Sequence, residues 1–496
     1  MDPAVRYQKL YVVSDLHLGG EPGFQIFSQG NELAALIEHV TDLPAADKVA
    51  LVLNGDIVDF LAERNARYLD PEGALEKLER IFRDPAFARV WASLAKLVKK
   101  DGRELVVVLG NHDVELALPA LRERLLLELC GGDAAARGRV RFSLDGAGFA
   151  CTVGGRKVLC THGNEVDDFN VVDFRQLLEF QRAANRGQPY PAWVPNAGTK
   201  LVIDVMNDVK AKFPFVDLLK PETTFVPAVV FALDPDAARR VAALAPVVTR
   251  LVTDMARLKA GLLGGEEPAR PSPPSEAAAL QQVLAGAFSH AASSQVDVQD
   301  LLANAETALM NNVRPDDARA EGSGTGETLG LWGLAADRIL NRDTMENLRE
   351  ALLRWLGSDR TFAVDQEDPT FVDLDRSTSP HVDFIVAGHT HLERAIKRRN
   401  GRGMYFNSGT WIRLIQLTEA MLATRESFAP VYDALRAGTM AALDAAAPGG
   451  VPLVLQRPIV VEIEETATGA SGRLAYVRPG IAGGPLQTVP RSERSV

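Results

Sequence analysis

The sequence predicts an α/β fold with a mixed sheet, interrupted by a large helical insertion. Three observations carry this. Five apolar runs rich in β-branched residues each stop in a cluster of Asp, Asn or His; the first third of the chain alternates such runs with helical stretches; and from roughly 169 to 378 helical patterns dominate over weak strand signals.

The first run, "KLYVVSDLHLGG", ends in Asp15 and His17, and "VALVLNGDIVDF" ends in Asn54, Gly55, Asp56 and Asp59. The helical stretch "GALEKLERIFRDPAFARVWASLAKLVKK" follows. In "ELVVVLGNHDVE", Leu105 to Leu109 show no polar alternation, which is the pattern of a central strand buried on both faces. Gly110, Asn111, His112 and Asp113 are poor strand residues and belong to the loop at its carboxyl end. "FACTVGGRKVLC" reads as a hairpin through Gly154 and Gly155, so the sheet is mixed, and its second strand runs into His162, Asn164 and Glu165.

In the insertion the helical candidates are "VVDFRQLLEFQRAANRG", "TKLVIDVMNDVKAKF", "PDAARRVAALAPVVTRLVTDMARLKAGLL" and "TMENLREALLRWLG". Gly-, Pro-, Ser- and charge-rich stretches at 264–277 and 316–328 read as flexible links. Strand patterns return in "VDFIVAGHTHLE", which ends in Gly388, His389, Thr390 and His391. A hairpin follows through Asn400 and Gly401, then a strand into Asn407, Ser408 and Gly409, the helical "PVYDALRAGTMAALDAA", and the late strands "PLVLQRPIVVEIEET" and "GRLAYVRP". The expected organisation is a core in two halves, 1–168 and 379–480, around the insertion 169–378, with a loose tail at 481–496.

Composition narrows the function classes. With 46% hydrophobic and 24% charged residues the chain is ordinary for a soluble globular protein of 496 residues. It has neither a leader-like start nor a run of about 18 apolar residues that would span a membrane, and is expected to be cytoplasmic. Cys130, Cys151 and Cys160 lack metal or disulfide spacing and read as buried thiols. A net charge of −11 disfavours broad nucleic-acid binding. The apolar "LVIDVMNDVKAKFPFVDLL", with Lys200, Lys210, Lys212 and Lys220 around it, fits either core packing within the insertion or peripheral contact with lipid. His39, His290 and His381 read as structural or solvated.

Ligands in open α/β sheets sit outside the carboxyl ends of strands, so the five clusters are expected to converge on one site. Imidazole, carboxylate and amide oxygen form a borderline-hard donor set suited to Mn, Fe, Zn or Co. One carboxylate can bridge two such ions about 3.5 to 4 Å apart, which lowers the pKa of bound water toward ~7 and neutralises charge on phosphoryl oxygens.

In order, the motifs are D-x-H (Asp15, His17), G-D-x-x-D (Gly55, Asp56, Asp59), G-N-H-D (Gly110 to Asp113), H-G (His162, Gly163) and G-H-x-H (Gly388, His389, His391). This ordered set resembles the calcineurin-like metallophosphoesterase superfamily over residues 12–168 and about 383–412. The resemblance implies a four-layer sandwich, two mixed β-sheets flanked by helices, and hydrolysis of a phosphodiester or pyrophosphate by direct attack of a metal-bound hydroxide. It implies two divalent ions, Mn first and Fe, Zn or Co as alternatives. Asp15, His17 and His391 would hold one ion, Asn111, His162 and His389 the other, and Asp56 would bridge. His112 would meet the substrate phosphate and protonate the leaving oxygen, with Asp113 beside it in the same catalytic loop. Asp113 and Asp59 would fix loop geometry or imidazole orientation. Asn164 and Glu165 fit either substrate contact or turn capping, and Asn407 to Trp411 either the site wall or a plain strand end.

The insertion lies between H-G and G-H-T-H, a position similar to that in the UDP-diacylglucosamine pyrophosphatases, where inserted helices cover a lipid substrate. His112 replaces the Arg usual there, and the insertion is longer. The substrate expected is thus a small-molecule or lipid-linked phosphoester chosen by the helical cap. A DNA-repair-type nuclease shares four of the motifs, and a non-catalytic scaffold of the same fold is the alternative outside enzymes.

Overall fold

The computed structural model describes residues 5–203, 207–220, 229, 233, 344–356, 360–400, 402–481 and 484–496. The two expected links, the helical candidate beginning at Pro235, and His290 lie outside the described residues. In chain order the strands are β1 (Arg6–Tyr7), β2 (Lys9–Val13), β3 (Val49–Asn54), β4 (Arg103–Val108), β5 (Val140–Ser143), β6 (Phe149–Val153), β7 (Arg156–Cys160) and β8 (Phe384–Ala387). They continue as β9 (Glu393–Lys397), β10 (Met404–Ser408), β11 (Leu414–Ile415), β12 (Val454–Leu455), β13 (Ile459–Thr466), β14 (Gly469–Val477), β15 (Leu486–Thr488) and β16 (Arg494–Ser495).

Two large mixed sheets result. The eight-stranded one has the order β15-β14-β13-β2-β3-β4-β5, with β16 also on β14. Its centre, β2 to β5, is parallel, and β13 and β14 are antiparallel. The six-stranded one has the order β1-β6-β7-β8-β10-β9, in which β7, β8 and β10 are parallel and the two hairpins β6–β7 and β9–β10 antiparallel.

Side chains alternate across a strand, and here both faces are buried. Leu10, Val12, Ala50, Val52, Val106 and Val108 face Cys151, Val158, Phe384, Val386 and Phe406 of the other sheet. Their neighbours Tyr11, Val13, Leu51, Leu53, Leu105 and Val107 face outward onto the helices Gly30–Asp42, Ala74–Arg83, Ala88–Lys99 and Pro119–Cys130. On the far side Ile385, Ala387, Ile396 and Tyr405 pack against Phe371 and Leu374 of the helix Pro369–Ser377. Helix, sheet, sheet and helix are the four layers expected.

Several local readings change. The helical stretch from Gly73 to Lys100 is two helices, broken where Asp84 leaves helical conformation and caps Ala86 before Pro85 can be accommodated. "PVYDALRAGTMAALDAA" is likewise two, parted by left-handed Gly438 and restarted by Thr439, whose hydroxyl accepts from Ala442. The segment after Gly480, expected to be loose, adds β15 and β16 to β14 and buries Val489 and Ser492.

The insertion is knitted to the core. Phe215, Leu219, Leu348 and Leu352 share a cluster with Ile415, Met421, Phe428, Val431 and Leu453, so residues after the G-H-T-H hairpin build a helical unit together with it. For the part of the apolar stretch that ends in Phe215, Val216, Leu218 and Leu219, all buried, this is the core-packing alternative. Among the described residues no helix is long and apolar enough to cross a membrane.

Candidate metal centre

The carboxyl ends of β2, β3 and β4 in one sheet and of β7 and β8 in the other open on the same end of the sandwich. The loops there are tight. Seven non-glycine residues among those described have positive φ, and five of them are Asp15, His17, Asp56, His389 and His391. Such backbone costs of order 1–3 kcal/mol per residue and persists where the surroundings enforce it. The motif glycines make the close approach possible: a Cβ on Gly55 would overlap the His162 ring, and one on Gly110 would overlap the Asp56 carboxylate.

Among the described residues two donor groups share no member, Asp15 with His17 and His391, and Asp56 with His162 and His389, and a third, His17 with Asp59 and His112, overlaps the first at His17; each has its donor atoms within 4.8 Å of one another. In the first, His17 Nε2 is 3.2 Å from His391 Nε2, which is 3.3 Å from Asp15 Oδ1. In the second, His162 Nε2 is 3.2 Å from Asp56 Oδ2. Donors around one ion at about 2.1 Å stand roughly 3.0–3.4 Å apart, so these spacings are those of a coordination shell. The same Asp56 Oδ2 is 3.8 Å from His17 Nε2, which puts one carboxylate oxygen between the two groups.

Neighbours set the tautomers. Asp59 Oδ2 accepts from His17 Nδ1 at 3.0 Å, and the Asn54 carbonyl accepts from His162 Nδ1 at 2.8 Å. Both rings are therefore left with an Nε2 lone pair facing the cluster. Asn111 Oδ1, His162 Nε2 and His391 Nδ1 are buried without a hydrogen-bond partner, and a buried polar atom is rarely left so. The residues present fit a cation.

Electrostatics agree. Burial works to raise the Asp15 carboxyl, but His162 and His391 hold it down at about 2. Burial works to lower His162, but Asp56 and Asp15 push it up to about 10. The carboxylates thus demand positive charge at His162, and a metal ion meets that demand where a proton otherwise would. His391 behaves differently: burial first, then the charge of Lys220, press it down to about 4, so it is a neutral donor.

His112 stands at the rim. Its side chain is 18% exposed, against 2% for His17 and 0% for His162. Its Nδ1 donates to Asp59 Oδ1 at 3.2 Å, and its backbone amide to Asp56 Oδ1 at 2.8 Å. Against the effect of burial, Asp59 and Asp56 raise its pKa to about 9, so at neutral pH the Nε2 carries a proton. Asp113 faces away: its oxygens accept from the amides of Ile57 (2.8 Å) and Gly110 (2.7 Å), tying two motif loops together. Both bonds brace the loop that carries His112.

Other expected residues settle as braces. Glu165 Oε2 accepts from the Gly163 amide at 2.7 Å, the turn-capping alternative, and Asn164 donates to the Asn170 carbonyl. Asn407 donates to the Gly388 carbonyl at 2.7 Å, and Thr410 to the Asp15 carbonyl at 2.8 Å. Ser14 bonds the Asp15 carboxylate and, at 2.7 Å, Ser408. Sequence reasoning missed Asp167. Its Oδ2 accepts from His389 Nε2 at 2.7 Å and from the Asn170 side-chain amide at 2.6 Å, which fixes the orientation of the His389 ring. The signal was available: a carboxylate five residues after His162 at the same strand end.

A sandwich of two mixed sheets with this cluster at the strand ends is the metallophosphoesterase fold. Residues 8–219 match the family model of the calcineurin-like phosphoesterases, which supports that superfamily and implies a metal-dependent phosphoesterase in general. The match ends before His389 and His391, which the fold returns to the same site. No curated protein matches the chain significantly.

Proposed function

We propose that the chain hydrolyses a phosphodiester or pyrophosphate bond at a centre of two divalent ions, Mn first and Fe, Zn or Co as alternatives. The observation that supports this most is Asp56 Oδ2 lying within 3.2 Å of His162 Nε2 and 3.8 Å of His17 Nε2, one oxygen shared by two donor groups. When bound, such ions draw charge off phosphoryl oxygens and bring the pKa of water toward neutrality. Asp15, His17 and His391 would hold one ion, Asn111, His162 and His389 the other, with Asp56 between.

The remaining roles belong to the protein alone. His112, protonated and only partly buried at the rim, faces an incoming phosphoryl group and gives its Nε2 proton to the leaving oxygen. Asp59, bonded to both His17 and His112, keeps donor and acid in register. The insertion selects the substrate, a small-molecule or lipid-linked phosphoester. Three free, buried cysteines fit a reducing, cytoplasmic setting.

The test is turnover of bis(p-nitrophenyl) phosphate and p-nitrophenyl phosphate by Mn-reconstituted protein, with a chelated control and a metal count. Metal-dependent cleavage of the diester is expected. Two bound ions with no cleavage of these esters, nucleotides, nucleotide sugars or DNA would overturn the reading.

A further inference from the structure

Asp15 is a buried carboxylate whose two oxygens have different surroundings. Its Oδ1 lies 3.3 Å from His391 Nε2, on the side of the first donor group. Its Oδ2 accepts from Ser14 Oγ, and the His389 amide reaches both oxygens, Oδ1 at 3.1 Å and Oδ2 at 3.0 Å. Ser14 follows β2 in the eight-stranded sheet, and 2.7 Å from its Oγ stands the Oγ of Ser408, the last residue of β10 in the six-stranded sheet. Both serines are buried. Gly388 of G-H-x-H makes room for them, since a Cβ there would overlap Ser14 Oγ and the Asp15 carboxylate.

Each hydroxyl has a single proton to give. Ser14 has three acceptors in reach, Asp15 Oδ2, Ser408 Oγ and the Gly409 carbonyl at 3.4 Å; Ser408 has two, Ser14 Oγ and the Ala387 carbonyl at 3.1 Å. The carboxylate is the charged acceptor among them, and a hydrogen bond to an ionised group is roughly twice as strong as a neutral one, so Ser14 donates to Asp15. Two hydroxyl oxygens 2.7 Å apart need a proton between them, so Ser408 donates to Ser14. We propose that Ser14 and Ser408 are positioning residues for the first ion: a serial chain, Ser408 to Ser14 to Asp15 Oδ2, holds Asp15 with its Oδ1 on the His391 side. This rests on the metal reading of the cluster. Among the described residues neither hydroxyl bonds Asp56, Asn111, His162 or His389, so the chain serves one of the two ions. It also makes that ion's site depend on how one sheet is placed against the other, because the two serines stand at strand ends in different sheets.

The experiment titrates the full chain with Mn calorimetrically and counts the ions bound, beside melting curves of the chelated protein. Ser14→Ala is expected to weaken one of the two Mn-binding events about 10–100-fold, the usual worth of a group that orients a ligand, and to leave the other unchanged. Ser408→Ala should weaken the same event less, because Ser14 keeps its own proton for Asp15. The double variant should bind Mn no more weakly than Ser14→Ala alone, as a serial chain requires and two independent packing losses would not give. Should Ser14→Ala melt too low to titrate, Ser408→Ala decides alone, by whether one event weakens while the other holds. Undiminished Mn affinity in Ser14→Ala, equal weakening of both events, or additive losses in the double variant would overturn the chain. Losses confined to the melting temperature of the chelated protein would do the same and make the serines structural. An unmutated chain that binds two Mn without cleaving bis(p-nitrophenyl) phosphate loses the hydrolytic reading alone, and selective loss of one Mn in Ser14→Ala would still support the positioning role. An unmutated chain that binds no Mn overturns both.

Discussion

Asp56 and His112 are joined by a hydrogen bond from the His112 amide to Asp56 Oδ1, yet they separate cleanly by experiment. Asp56→Asn removes the charge shared by both donor groups, so metal content and activity should fall together. Full metal occupancy in that variant would refute the bridging role. His112→Ala should keep both ions and lose on the order of 10²–10⁴-fold in turnover, the usual worth of a positioned acid; loss of an ion, read by metal analysis, would make it a ligand instead. Asp167→Asn frees His389 to rotate and should weaken metal binding about 10–100-fold while leaving the melting temperature of the chelated protein nearly unchanged. Glu115 gives a pH test away from the donors. Burial pushes it up from 4.5 to about 8, with Lys77 working the other way. A folded-state pKa above the unfolded one means the fold binds that proton more tightly. Its contribution is therefore complete below 4.5 and is lost as pH rises through about 8. Glu115→Gln should melt at a temperature less dependent on pH across that window, and an unchanged slope would show the carboxyl to be irrelevant there.

Elements were legible in proportion to how local their causes are. The strands β2, β3, β4, β7 and β8 and their polar ends could be read because runs such as Leu105–Leu109 are buried on both faces and stop at residues a strand cannot use. The donors Asp15, His17, Asp56, His162, His389 and His391 all come together at one end of the sheets. What could not be read depended on distant partners. Asp167 looks like any loop acid until His389 is folded against it, 222 residues away. The helix Pro369–Ser377, inside the range assigned to the insertion, is the outer layer of the six-stranded sheet, which periodicity alone does not reveal. The terminal segment misled for a similar reason: β15 and β16 are short and earn their order only from β14, through pairs such as Ala475 with Thr488 and Gly472 with Arg494. Buried Ser492 adds hydrogen bonds to Leu474 on both its amide and its carbonyl. Deleting residues 481–496 should therefore lower the melting temperature by several degrees; a truncated chain that melts like the full one would restore the loose tail.

For the molecule as a whole, the donor cluster draws on both sheets. Asp15, His17, Asp56 and Asn111 come from the end of the eight-stranded sheet, and His162, His389 and His391 from the end of the six-stranded one. Ions held between them would tie the two sheets, and hence the two halves of the core that flank the insertion in sequence. Asp15 and Asp56 are buried, at 0% and 1% exposure, in an environment that opposes ionised carboxylates, so cations bound there favour the folded chain over the unfolded one. A ligand that binds only the folded state stabilises it by about 2.7 kcal/mol at a hundredfold excess over its dissociation constant. For a chain of 496 residues that is worth roughly 3 °C in melting temperature. Chelation should lower the midpoint of a thermal scan by that order, and added Mn should restore it in a concentration-dependent way. Asp56→Asn, lacking the shared carboxylate, should show little of either change. If the wild-type midpoint ignores chelator while metal analysis confirms that the ions have left, the donor cluster is rigid without them and the two sheets are held by their apolar interface alone.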